Sequence, residues 1–92
     1  MSLERAEILK KIQEILLEKL GKAVEVVSEE DRFEKDLGLD SLDVIDLVMF
    51  VEDVYGIRIE DEEIENLSRV RDLVDLTLRK LEEMESEEPE SG

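Results

Sequence analysis

The sequence predicts an all-α fold: a small four-helix bundle with three longer helices, one short helix and a long first loop. Three observations predict it. Apolar residues recur at three- and four-residue steps in separate segments. Gly21 and Gly56 follow two of these segments, at the position that ends a helix. The 92 residues are 41% hydrophobic but only 3% aromatic, which indicates one domain with a core of Leu, Ile and Val.

The first helix is predicted over residues 3–20. Ser2 can cap it and Gly21 ends it. Its apolar positions have helical spacing. They are Leu3, Ile8, Leu9, Ile12, Ile15, Leu16 and Leu20.

Residues 22–40 form a long connection. The stretch 22–27 has a brief β-like pattern without a partner strand, so we expect an extended loop. Ser28 can cap a short helical turn with an acidic beginning. Phe33 and Leu37 are the expected anchors, because a loop of this length in a compact domain is usually functional or held by its own side chains.

The second helix is predicted over residues 41–55, ended by Gly56. At 100° per residue, one stripe is apolar and faces the core. It consists of Val44, Leu47, Val48, Val51 and Tyr55. Asp43, Asp46 and Asp53 form an acidic stripe, and Leu42, Ile45 and Met49 lie on its flank. Phe50 falls within the acidic stripe and Val54 at its edge.

Two further helices follow an extended link at residues 57–59. Asp61 caps a short helix over residues 61–66, and Ser68 starts a last helix. The inward positions of the last helix are Val70, Leu73, Val74, Thr77, Leu78 and Leu81. We therefore predict a folded domain over residues 1–81 and an acidic, disordered tail over residues 82–92.

The charge is strongly acidic, at −16 overall. Residues 36–66 contain eleven acidic side chains and a single basic one, Arg58. Such a field disfavours nucleic acid and anionic membranes and favours basic protein surfaces, although it is also compatible with a merely well-solvated surface. No apolar run is long enough to span a bilayer, and no signal peptide is visible. The expectation is a cytoplasmic monomer.

The absence of Cys and His excludes disulfides, thiolate–imidazole metal sites and catalysis by histidine. The acidic residues lack the spacing of a calcium-binding loop, so no metal site is expected. The protein is not expected to be an enzyme.

Ser41 stands between Asp40 and Leu42, where the second helix begins. It can be the helix N-cap, or Asp40 can take that role and leave Ser41 facing outward. A catalytic nucleophile would need a neighbouring base, and the surrounding charges are acidic. The remaining interpretation is that another protein modifies Ser41, because a helix N-terminus favours an attached anion such as a phosphate ester.

The motif Asp36-Leu-Gly-Leu-Asp-Ser41-Leu-Asp is followed by Ile45-Asp-Leu-Val-Met49 and Tyr55-Gly-Ile57. With these motifs, residues 3–81 resemble an acyl carrier protein of the fatty-acid synthesis type. The resemblance implies that Ser41 receives a 4′-phosphopantetheine arm from coenzyme A, added by a phosphopantetheinyl transferase. The terminal thiol of the arm would carry acyl groups as thioesters, and partner enzymes would do the chemistry.

The resemblance also implies roles for other residues. Asp40 corresponds to the aspartate that precedes the modified serine. The predicted partner-binding residues include acids that would meet basic patches of partner enzymes, namely Asp40, Asp43, Asp46, Glu52 and Asp53. Leu42, Ile45 and Met49 correspond to apolar positions between these acids, and Phe50 is added as a candidate although it departs from the family pattern. The residues implied to line a pocket for the acyl chain are Phe33, Val51, Ile59, Ile64, Leu67 and Leu73. Plain core packing is the alternative for this second set.

Several positions depart from the family pattern. They are Leu39, Phe50, Val54, Arg58, Glu60, Arg69 and Arg71. Phe50 is either an apolar anchor for a particular partner or a residue that tilts inward. The expected function is a carrier for fatty-acid synthesis. The alternatives are a carrier in a polyketide, peptide or other specialised pathway, and an unmodified acidic adaptor.

Overall fold

Four helices form the fold in a computed structural model, which describes residues 3–24 and 26–86. They are α1 (Leu3–Glu18), α2 (Ser41–Tyr55), α3 (Asp61–Glu65) and α4 (Val70–Ser86). No strand occurs within the described ranges, so the predicted all-α bundle with one short helix is confirmed. The predicted cap Ser2 lies outside the described residues. None of the described helices is long and apolar enough to cross a membrane.

The core lies where α1, α2 and α4 pack on one another. It consists of aliphatic side chains and a single ring, that of Phe33, as the composition predicts. The most deeply buried members are Ile8, Ile12, Leu16, Leu39, Leu47, Val48, Val51, Val70, Leu73 and Val74. Thr77 is also fully buried, and its hydroxyl donates to the carbonyl of Leu73 at 2.8 Å, so no buried hydroxyl is left without a partner there.

The helix bounds differ from the predicted ones by one or two residues at several ends. α1 ends at Glu18, and Lys22 N donates to Leu16 O at 2.7 Å across Gly21. The predicted cap Asp61 is wrong, because the N-cap position of α3 is Glu60. α4 begins at Val70 rather than Ser68.

α4 continues five residues beyond Leu81, where the folded domain was predicted to end. Glu and Met are good helix formers, and extending an existing helix is far easier than starting a new one. The helical state of residues 82–86 therefore departs from the predicted disordered tail. Residues 87–92 lie outside the described residues.

The long loop between α1 and α2 is fastened to the start of α4 by its backbone. Phe33 N donates to Ser68 O at 3.1 Å, and Val70 N donates to Asp31 O at 2.9 Å. Phe33 is itself buried, as predicted for a loop anchor. This part of the loop, at residues 31–33, is therefore tied to the bundle by backbone hydrogen bonds.

Arginine side chains reinforce this junction. Arg69 Nη1 donates to the carbonyl of Glu30 at 2.8 Å, and Arg71 Nη2 bonds the Glu30 carboxylate at 2.9 and 3.0 Å. Arg69 and Arg71 are two of the departures from the family pattern noted in the sequence. Their contacts with the loop give them a structural role.

A third arginine joins α1 to the same loop. Arg5 pairs with the carboxylate of Glu29, and its Nη1 donates to Asp75 of α4 at 2.8 Å. The hydrogen bond from Arg5 holds the pKa of Glu29 below its ordinary value. One guanidinium thus connects α1, the loop and α4.

Candidate functional site

The segment before α2 is a helical turn that ends at Gly38. Asp36 N donates to Arg32 O at 3.0 Å, which closes the turn. Gly38 has φ of 68°, in the left-handed region where glycine carries no steric cost. Leu39 N then donates back to Phe33 O at 2.8 Å. This reversal buries Leu39, another departure noted in the sequence, and brings the chain to the start of α2.

Asp40 is the N-cap of α2, with a reciprocal capping arrangement. Its Oδ1 accepts from Asp43 N at 2.9 Å, and Asp43 Oδ2 accepts from Asp40 N at 3.2 Å. Of the two caps that the sequence left open, Asp40 is therefore the observed one, and Ser41 as the cap is wrong.

Ser41 is the first residue of α2 and is exposed. Its hydroxyl makes no hydrogen bond with any residue that the structure describes. Because Asp40 satisfies the backbone N–H of Asp43, the hydroxyl of Ser41 has no capping task. It stands at the positive end of the helix, where an attached anion is favoured.

A cleft of about 410 Å³ opens beside Ser41, between the turn at residues 32–35, the start of α2 and α3. This size is within the range of small-molecule sites. Its lining residues are Arg32, Phe33, Glu34, Lys35, Asp40, Ser41, Val44, Ile45, Ile64, Glu65, Leu67 and Ser68.

The cleft brings together half of the predicted acyl pocket. Phe33, Ile64 and Leu67 line it. Val51, Ile59 and Leu73 do not line it and are buried in the core instead, which is the alternative considered for them. Spacing along a helix cannot separate a residue that lines a cleft from one packed behind it, because both face inward.

The outer side of α2 carries exposed apolar and acidic side chains together. Leu42 is 70% exposed and Met49 57% exposed, with Ile45 between them. Asp46 and Asp53 are also exposed. We call these five residues the α2 face.

The other predicted partner residues are engaged within the fold. Asp43 belongs to the cap and lies 3.5 Å from Lys22 Nζ. Glu52 Oε2 accepts from Ile59 N at 2.6 Å and ties α2 to the link before α3. Sequence reasoning missed this bond, because nothing in the pattern separates Glu52 from a solvated acid.

Phe50 is half-buried and packs against the core, and Lys19 Nζ lies 5.9 Å from the centre of its ring. This packing agrees with the inward interpretation of Phe50. Val54 remains 48% exposed.

Most of the chain is similar in sequence to known proteins. The family profile described as the phosphopantetheine attachment site matches residues 10–77. An acyl carrier protein of Saccharopolyspora erythraea is 40% identical over 76 residues, which cover 83% of this chain and 80% of that protein. One from an Exiguobacterium species is 47% identical over 70 residues, covering 76% of this chain and 89% of that protein.

A solved structure agrees in fold. The crystal structure of an acyl carrier protein from Thermotoga maritima superposes with a TM-score of 0.86 at 54% sequence identity. The superposition covers 89% of this chain and 95% of that one.

Proposed function

The chain belongs to the acyl carrier protein family, whose prosthetic group is 4′-phosphopantetheine, and from that premise we propose that it carries acyl intermediates of fatty-acid synthesis on an arm attached to Ser41. The observation that carries the proposal is the exposed hydroxyl of Ser41, which does not cap the helix and belongs to a residue that lines a cleft. Proteins of this family are carriers, and their partner enzymes do the chemistry.

The residues around Ser41 fit the group. The hydroxyl is accessible, the N-terminus of α2 favours the phosphate, and the cleft offers apolar surface next to the attachment point. When attached, the arm supplies a terminal thiol that holds an acyl group as a thioester. Ser41 and the cap of α2 fix the place from which the arm starts.

The attachment step needs a second protein. The Oγ of Ser41 forms a bond to the pantetheine-bearing phosphorus of coenzyme A, and the anhydride bond breaks to release adenosine 3′,5′-bisphosphate. The hydroxyl proton must leave to a base. Because the chain contains no His and the neighbouring carboxylate of Asp40 is engaged in the cap of α2, we assign that base to the transferase.

We assign partner recognition to the α2 face. Its acids, Asp46 and Asp53, attract Lys/Arg patches, and its apolar side chains, led by Leu42 and Met49, provide surface that a partner can bury. Charge complementarity of this kind mainly raises the association rate. Partners are then the transferase and acyl-processing enzymes with basic surfaces.

The pathway is the finer part of the proposal. Fatty-acid synthesis is favoured by the motif around Ser41, and a polyketide, peptide or other acyl pathway is the alternative. Both use the same serine and differ in the enzymes that recognise the α2 face. We place the protein in the cytoplasm as a monomer.

Mass spectrometry after incubation with coenzyme A and a phosphopantetheinyl transferase tests the proposal. We expect the mass of one arm on the wild-type protein and none on Ser41→Ala. Ser68→Ala is the matched control, because Ser68 lines the same cleft and its loss should leave the addition complete. An unmodified adaptor would gain no mass, and equal addition to Ser41→Ala would assign the arm elsewhere.

A further inference from the structure

The sequence has 28 acidic and 12 basic side chains, and four of the basic ones form no ion pair with an acid that the structure describes. Within the part of the chain that the structure describes, the other eight form ion pairs. The four exceptions are Lys10, Lys19, Arg32 and Lys35. Lys19 faces the ring of Phe50, and Lys10 is exposed on α1. Arg32 and Lys35 are the two of the four that line the cleft beside Ser41.

Arg32 and Lys35 line the same cleft as Ser41. Both are exposed, and they are three residues apart on the helical turn, a spacing that places side chains on one face. The backbone of that turn is fixed, since Asp36 Oδ2 accepts from Arg32 N at 2.7 Å and Phe33 N bonds Ser68 O. The two cations therefore line the cleft of Ser41 from a turn whose backbone is held by hydrogen bonds.

The other charges of the cleft are negative. Glu34, Asp40 and Glu65 all contribute to its lining. A phosphodiester joined to Ser41 would add a further negative charge at this place. Without Arg32 and Lys35 it would meet carboxylates alone, apart from the dipole of α2.

We propose that Arg32 and Lys35 bind the phosphodiester of the arm and so lay the arm along the cleft towards α3. This inference rests on the proposed attachment at Ser41. The apolar part of the lining, formed by Phe33, Val44, Ile64 and Leu67, then contacts the hydrocarbon portion of the arm. Because both cations are exposed, each contact is weak and sensitive to salt, so the docked arm exchanges readily with a free one.

The experiment uses the arm-bearing protein and nuclear magnetic resonance. The cleft variant is Arg32→Gln/Lys35→Gln. The matched control is Lys10→Gln/Lys19→Gln, which also removes two cations without an acidic partner but none that lines the cleft. The readout is the intensity of nuclear Overhauser contacts from arm protons to the side chains of Phe33, Ile64 and Leu67, together with complete arm mass on each protein.

In the wild type and the control we expect contacts of equal intensity at low salt. In the cleft variant the docked population should fall by roughly three- to tenfold, as for the loss of two exposed charge contacts. Raising the salt to 1 M should do the same to the wild type, because the screening length then falls to about 3 Å.

Equal contacts in the cleft variant and the wild type would overturn the role of the two cations. If the wild-type protein gains the full arm mass but its arm shows no contact with the cleft, the proposed docking is wrong and the attachment at Ser41 stands. A wild-type protein that gains no mass would overturn the attachment at Ser41, and docking with it.

Discussion

Two adjacent side chains at the start of α2 have separate tasks. Asp40 accepts the backbone N–H of Asp43 and stabilises the helix end, while Ser41 keeps its hydroxyl exposed. Sequence reasoning left this choice open, because Ser and Asp are equally good caps and only the backbone path through Gly38 decides which residue takes the position. Because the cap and the modified residue are different side chains, a mutation of Asp40 can change the stability of the fold while Ser41 stays available for modification.

Replacing the cap residue Asp40 should lower the stability of the fold while leaving Ser41 unchanged. We expect Asp40→Ala to reduce the free energy of unfolding by about 1 kcal/mol, the usual cost of losing a helix cap. Asp40→Ser should retain most of it, because a serine oxygen can accept the same N–H. Urea unfolding measures both.

Asp46→Ala controls for the loss of one negative charge, because Asp46 is exposed and makes no hydrogen bond among the described residues. It should stay within about 0.5 kcal/mol of the wild type. If Asp40→Ala were no less stable than Asp46→Ala, the cap would contribute nothing.

At the scale of elements, the loop before α2 is held by contacts between residues far apart in the chain. Glu30 meets Arg69 and Arg71, and Glu29 meets Arg5. These ion pairs fix the loop that leads to Ser41. The position of the attachment site thus depends on contacts with α1 and with the start of α4.

The pairing of Glu29 makes this junction sensitive to acid. The hydrogen bond from Arg5 lowers the pKa of Glu29 in the folded state below its ordinary value of 4.5. Its contribution to stability is therefore present above pH 4.5 and is lost as the pH falls through the lowered value. We expect Glu29→Gln to be less stable than the wild type at pH 6 and the difference to shrink at pH 3.

Urea unfolding at the two pH values measures this difference. Asp53→Asn is the matched control for the loss of one carboxylate, because Asp53 is an exposed acid on α2 without an ion pair within the described residues. A Glu29→Gln deficit that stays constant between pH 6 and pH 3 would contradict the linkage.

Helical periodicity predicted the elements well and their junctions poorly. The bounds of α2 and the anchoring by Phe33 followed from the apolar pattern, because burial imposes that pattern on the residues concerned. The contacts of Arg69 and Glu52 did not, because a charged residue on a surface helix looks the same whether it meets water or a distant backbone group. Only half of the residues predicted to line the acyl pocket line the cleft. Helical spacing identifies positions that face inward, but it does not show which of them border open space.

At the scale of the whole molecule, the net charge of −16 opposes compactness. The bundle measures 46 × 28 × 21 Å, so at 0.01 M salt the screening length of about 30 Å spans much of it. Repulsion among its 28 acids then acts across the whole protein. The attraction within each ion pair, in contrast, stabilises only its own place in the fold.

We therefore expect added sodium chloride to stabilise the fold. The midpoint of thermal unfolding should rise between 0.01 M and 1 M salt, where the screening length falls to about 3 Å. Potassium chloride at the same ionic strength should give the same rise if screening is the cause. A midpoint that falls with salt would mean that the ion pairs outweigh the repulsion.

The direction of α4 has a practical consequence. Its first turn adjoins Ser68, which lines the cleft with Ser41, and its 17 residues carry the chain about 24 Å away to Ser86. A tag, surface linkage or fused protein joined after the last helix therefore starts at the opposite end from the serine. The chain can be tethered from that end while the transferase and acyl-processing enzymes approach the other.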